Sequence, residues 1–147
     1  MAENTSWGVR VLLAEDSPTV RHFLTNLINE TPGFRVIGVA RDGEEAIAMV
    51  QELKPDVVSM DVRMPRMDGL EATRRIMTVA PTPVVVVSGL LESEMDLSFQ
   101  ALQAGALAVI EKPPDRRDPR FPEKRQMMMK TLLAMSSVKV IQRRELS

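Results

Sequence analysis

Cysteine is absent from the 147 residues, which excludes a disulfide scaffold and any thiolate metal site and fits a reducing compartment, with the cytoplasm as the expected location. Histidine occurs once, as His22 within a helical pattern. With no second histidine or cysteine near it, it reads as a surface position rather than a ligand. No apolar run approaches the ~18 residues of a membrane span, and the polar start Met1-Ala2-Glu3-Asn4-Thr5-Ser6 lacks the apolar core of a signal peptide. No membrane contact is expected. No Gly-x-Gly-x-x-Gly follows the first strand-like run, so a dinucleotide fingerprint is also missing. Aromatics are scarce, and the single tryptophan, Trp7, precedes the first strand, where it is expected to cover an apolar edge.

What is present fits one domain of ordinary size with enough bulk for a core. The net charge of -1 hides an asymmetry: residues 115 to 147 hold 9 Lys/Arg against 4 Asp/Glu, and residues 1 to 114 hold 10 against 16. Nine cations over a mainly helical tail read as a solvated face rather than a nucleic-acid surface.

Apolar runs and helical patterns alternate along the chain. Strand-like runs fall at Val9 to Ala14, Arg35 to Ala40, Asp56 to Asp61, Val84 to Val87 and residues 107 to 111. Between them, Ser17-Pro18 is a helix start, with Ser17 as N-cap and a stripe of Val20, Phe23, Leu24, Leu27 and Ile28. Asp42-Gly43-Glu44-Glu45 opens a second helix, which Lys54-Pro55 ends. Asp68-Gly69 leads into a third, with the stripe Leu70, Thr73, Ile76 and Met77. A fourth spans about Glu94 to Ala104, and a last about Glu123 to Val140. Val84-Val85-Val86-Val87 has no polar alternation, as a parallel strand covered on both faces requires. Strict alternation predicts an α/β fold, a doubly wound parallel sheet of five strands with five helices on its two faces. In the flavodoxin-like order 2-1-3-4-5, the tips of strands one and three flank the switch point.

Those tips carry chemistry. The first strand ends in Glu15-Asp16, the third in Asp61, the fourth in Ser88, and the fifth leads to Lys112. Three carboxylates close together repel unless a cation or a proton intervenes. Carboxylate oxygens with a backbone carbonyl and waters suit Mg²⁺. Asp61 could then act as a nucleophile toward phosphorus, giving an aspartyl phosphate. Lys112 would supply a charge and Ser88 a donor for the phosphoryl oxygens. Lys112-Pro113 is a candidate cis peptide.

Glu15-Asp16-Ser17, Asp61 within Met60-Asp61-Val62-Arg63-Met64-Pro65-Arg66-Met67-Asp68-Gly69, Ser88 and Lys112-Pro113 together resemble the receiver domain of two-component response regulators, over residues 9 to about 114. The wording is most similar to receivers of chemotaxis protein-glutamate methylesterases. The resemblance implies that Asp61 accepts a phosphoryl group from a histidine kinase. It implies that Asp16, Asp61 and the backbone carbonyl of Arg63 bind Mg²⁺, with Glu15 assisting through water. It makes Ser88 the switch, Lys112 the phosphate sensor, and the face of the fourth helix, fifth strand and fifth helix the contact for an output domain or partner. Two positions depart from the pattern: Glu15 stands where Asp is commoner, and Val109 where many receivers carry an inward-turning aromatic. Arg63 is expected to alter the lifetime of the phosphorylated state.

Residues 1–122 are expected to form the receiver through its fifth strand and following loop, 123–140 its last helix, and 141–147 the start of an interdomain linker. By this reading the chain itself has no output active site; the expected output, a chemotaxis methylesterase, lies beyond it. Other outputs, DNA-binding or none, are the alternative, although the 33 residues after Pro114 are too few for a winged helix. A small-molecule phosphatase of the haloacid type would need an acid two residues after Asp61, where Arg63 stands. The Met127-Met128-Met129 run with Leu132, Leu133 and Met135 is expected to pack the last helix on the sheet.

Overall fold

The computed structural model describes residues 8–89 and 94–142. Trp7, and with it the expected cover of an apolar edge, lies outside them. The strands are β1 (Val9–Ala14), β2 (Phe34–Ala40), β3 (Val57–Met60), β4 (Val84–Ser88) and β5 (Ala108–Glu111). The helices are α1 (Pro18–Asn29), α2 (Gly43–Leu53), α3 (Gly69–Val79), α4 (Glu94–Ala104) and α5 (Phe121–Ser136). The sheet has the order β2-β1-β3-β4-β5, every pair parallel, which is the expected doubly wound arrangement.

Both faces of the sheet are covered, and the valine run shows how. Val84 and Val86 belong to an apolar cluster with Ala46 and Val50 of α2, Ile76 and Met77 of α3 and Ala101 of α4. Val85 and Val87 point the other way, into a cluster with Leu24, Leu27 and Ile28 of α1 and Phe121, Met128 and Leu132 of α5. Successive side chains of a strand alternate between faces. A strand buried on both sides therefore keeps no polar position.

The helix ends follow the capping residues. Ser17, Asp42 and Asp68 each accept a hydrogen bond from the backbone N–H three residues on, at 3.3, 2.9 and 2.9 Å, satisfying donors that the helix leaves free. At the far end of α2, the Arg10 guanidinium donates to the Leu53 and Lys54 carbonyls at 2.7 and 2.6 Å, placing a cation where the helix dipole favours one.

Three boundaries differ from the sequence expectation. β3 is shorter than 56–61 because Asp56 uses its side chain to accept the Arg10 N–H at 2.8 Å. The last helix covers Phe121–Ser136 rather than 123–140. It begins earlier because buried Phe121 and Pro122 fit its first turn. It stops earlier because Ser136 and Ser137 turn their hydroxyls back onto the Leu133 and Ala134 carbonyls, competing with helix continuation. The methionine run divides: Met128 and Met129 are buried with Leu132, whereas Met127 and Leu133 face solvent. No cis peptide occurs among the described residues. The Lys112-Pro113 bond is trans, the intrinsic preference even before proline, and the Lys112 N–H is fixed instead by the Ser88 carbonyl at 2.7 Å.

Candidate functional site

Ala14 and Met60 are register partners in neighbouring parallel strands, so Glu15 and Asp61 leave the sheet side by side. The Asp61 N–H donates to the Ala14 carbonyl at 3.0 Å and the Glu15 N–H to the Ala40 carbonyl at 2.9 Å. Arg21 of α1 donates to the Glu15 and Asp16 carbonyls at 3.1 and 3.3 Å, holding the turn that presents both acids. Glu15, Asp16 and Asp61 each contribute a carboxylate oxygen to a cluster within 4.8 Å. Glu15 and Asp61 are buried, and Asp16 lies exposed at the rim.

Lys112 closes the cluster from the tip of β5. Its Nζ stands 2.8 Å from Glu15 Oε1 and 3.4 Å from Asp61 Oδ1. The nearer contact lacks hydrogen-bond alignment, and Glu15 Oε1 remains a buried acceptor with no donor. Its other oxygen, Oε2, takes the Ser17 N–H at 3.2 Å. Repulsion among the acids is thus eased in two ways, a cation between them and a bound proton. Burial first, opposed by Lys112 and reinforced by Glu15, raises the Asp61 carboxyl to about 6.

An orphaned buried oxygen amid three carboxylates is a donor set of hard oxygens, which suits a divalent cation of the Mg²⁺ kind. The residues fit that ion. Ser88 is buried at the tip of β4, paired in register with Glu111. It lines a cavity of about 140 Å³ together with Leu97, Ser98 and Val109. Arg63 is exposed on the loop that leaves Asp61. All six residues singled out in the sequence therefore lie at strand tips on one edge of the sheet or in the loops that continue them. His22 is exposed on α1 with Asn26 as its partner, away from this site.

The sequence reading did not single out the residues that shape the loop after Asp61. A Cβ on Gly69 would stand 1.9 Å from the Asp61 carbonyl oxygen, so only glycine lets α3 begin there. Asp42 is almost fully buried, and its carboxyl is held below the usual range by the Glu45 N–H and by Arg66. Asp42 is visible in the sequence as a helix cap. Arg66 carries no local mark, because its partner lies 24 residues away.

A family model described as the response regulator receiver domain matches residues 11–119. The chain is 53% identical over 135 residues to a protein-glutamate methylesterase/protein-glutamine glutaminase of Myxococcus xanthus, covering 92% of this chain and 38% of that protein. It spans about two fifths of the length of such curated relatives. Among solved structures, it is similar to the response regulator domain of Thermotoga maritima CheB. That match has a TM-score of 0.80 and 36% identity, over 90% of this chain and 98% of that one. It is also similar to a chain in the CheX-CheY-BeF3-Mg complex of Borrelia burgdorferi, with a TM-score of 0.74 and 28% identity over 95% and 96% of the two chains.

Proposed function

The chain belongs to the response regulator receiver domain family, and from that membership we propose that Asp61 is the phosphoacceptor of a signalling switch charged by a histidine kinase. The observation that carries this is the convergence of the Glu15, Asp16 and Asp61 carboxylates on the Lys112 ammonium at the strand tips. In the reaction, an ionised Asp61 oxygen attacks phosphorus of a phosphohistidine, the N–P bond breaks and the imidazole keeps its electron pair. Near neutral pH most Asp61 is ionised, since its carboxyl titrates at about 6. Lys112 and Ser88 are placed to receive phosphoryl oxygens, the ammonium as a point charge and the hydroxyl as a donor.

Asp16, Asp61 and the Arg63 carbonyl would hold Mg²⁺, with Glu15 engaged through water. When bound, the ion neutralises charge on the phosphoryl oxygens. A related chain solved in a complex that contains BeF3 and Mg supports this assignment.

The relay has no aromatic switch at Val109. Movement of Ser88 and of the backbone of α4 and β5 therefore carries the signal as a population shift. The surface it reaches exposes Phe99 and Leu102 on α4 and Met127 and Leu133 on α5, apolar area suited to a partner. By analogy with the curated relatives, the regulated partner is a protein-glutamate methylesterase domain of a cytoplasmic chemotaxis pathway. Among the described residues, no helix is long and apolar enough to cross a membrane.

Incubation with Mg²⁺ and a small acyl phosphate is expected to add one phosphoryl group to the wild type and none to Asp61→Asn, read by intact mass. Equal labelling of the two proteins, or of neither, refutes the assignment. Turnover of a phosphate ester would favour a phosphatase instead.

A further inference from the structure

The β2–α2 turn and the loop after Asp61 are distant in sequence but fastened together at two points. The Gly43 N–H donates to the Met67 carbonyl at 3.0 Å, an approach so close that a Cβ on Gly43 would stand 2.6 Å from that oxygen. Beside it, Arg66 Nε and Nη2 donate to Asp42 Oδ2 at 3.0 and 2.8 Å. Asp42 spends its other oxygen on the Glu45 N–H at 2.9 Å. One buried carboxylate thus divides its oxygens between a helix end and a loop, although capping alone needs only one.

Arg66 reaches this partner with φ of +67°, a left-handed conformation that is strained for a residue with a Cβ. Its side chain is 63% exposed, so local burial does not hold it there. The pair with Asp42 and the Met67–Gly43 bond hold it instead. The clamped stretch, residues 62–68, begins directly after Asp61 and contains Arg63.

Resting on the receiver reading of the site, we propose that Asp42 and Arg66 are positioning residues that lock this loop so that its oxygens meet the cation as a prearranged set. Neither side chain touches the reacting atoms. A small cation of strict geometry rewards such rigidity, and groups that orient ligands without coordinating typically change metal affinity about 10- to 100-fold.

The test is a calorimetric Mg²⁺ titration of the metal-free protein, its Arg66→Gly, Arg66→Lys and Asp42→Asn variants, and Arg74→Ala as a control at an exposed ion pair with Glu71 on α3. Glycine accepts the left-handed φ freely, so Arg66→Gly removes the clamp without adding strain. Its dissociation constant is expected to rise about tenfold, with faster amide exchange across residues 62–68 and a native circular dichroism spectrum. Lysine recovers part of the loss, and Arg74→Ala matches the wild type. An unchanged constant in both Arg66→Gly and Asp42→Asn, even with a lowered Tm, makes the pair a staple only and overturns the proposal. If Arg66→Gly does not fold, Asp42→Asn, which retains an oxygen for the Glu45 cap, decides on the same readout. A wild type that binds neither Mg²⁺ nor beryllofluoride refutes the receiver reading itself and the proposal with it, a failure seen before any variant is compared.

Discussion

Asp61→Asn is expected to raise the stability of the metal-free protein at pH 8 and to leave it nearly unchanged near pH 4. The carboxyl titrates at about 6 in the folded chain against an ordinary 3.8. Between those values the folded state binds more protons than the unfolded one, so this group's contribution to stability falls as pH rises from about 4 to about 6 and is level above. Two pH units at 1.36 kcal/mol each make the ionised carboxylate cost roughly 3 kcal/mol at pH 8. Asparagine has the same shape without the charge. Lys112 is not orphaned by the change, because Glu15 stands nearer to it, at 2.8 Å against 3.4 Å. The assay is urea unfolding of both proteins in a chelator at pH 4, 6 and 8. Their difference cancels the opposing slopes of carboxyls held low elsewhere, such as Asp42 and Glu45. A gain of about 2 to 3 kcal/mol at pH 8 that fades toward pH 4 is expected. A difference independent of pH, or of opposite sign, refutes the claim that burial strains the charge. Saturating Mg²⁺ stabilises the wild type by mass action and should shrink the gap.

Other expectations follow from the same site. Mg²⁺ affinity should drop about tenfold per pH unit below pH 6, as a proton on Asp61 competes for the ligand oxygen; calorimetry that finds no change between pH 7 and pH 5 would exclude Asp61 as a ligand. Lys112→Met should destabilise by about 3 kcal/mol at pH 8, because it strands buried Glu15 without its cation. That loss should lessen on acidification, and an equal loss at pH 4 would point to packing instead. Gly69→Ala should cost at least about 3 kcal/mol in urea unfolding, since a Cβ there collides with the Asp61 carbonyl; wild-type stability in that variant would mean that the loop relaxes easily.

The fold was legible in the sequence because its signals are local. Leu70, Thr73, Ile76 and Met77 repeat at helical spacing and all four are buried, and the unbroken valines of β4 announce a strand covered on both faces. The acids, the serine and the lysine were readable because parallel strands bring their carboxyl ends to one edge. Less legible was whatever depends on distant partners. That Lys112 stands closer to Glu15 than to Asp61 follows from side-chain reach across the sheet, which spacing does not encode. The Asp42–Arg66 pair joins two turns that only the finished fold brings together. The overlong last helix shows the complementary limit, since the hydroxyls of Ser136 and Ser137 outcompete a pattern that reads helical to Val140.

The resting partnership of Lys112 and Glu15 bears on how large a response the domain can give. Under the proposed function, an incoming phosphoryl group does not meet an idle ammonium; it must draw the lysine away from a carboxylate already 2.8 Å distant. The free energy available to rearrange α4 and β5 is then the difference between two attachments, not the full strength of the new one. Glu15, a methylene longer than the commoner aspartate, thereby sets a threshold. It keeps the uncharged domain quiet and lets hydrolysis of the acyl phosphate return the lysine to a position it already prefers.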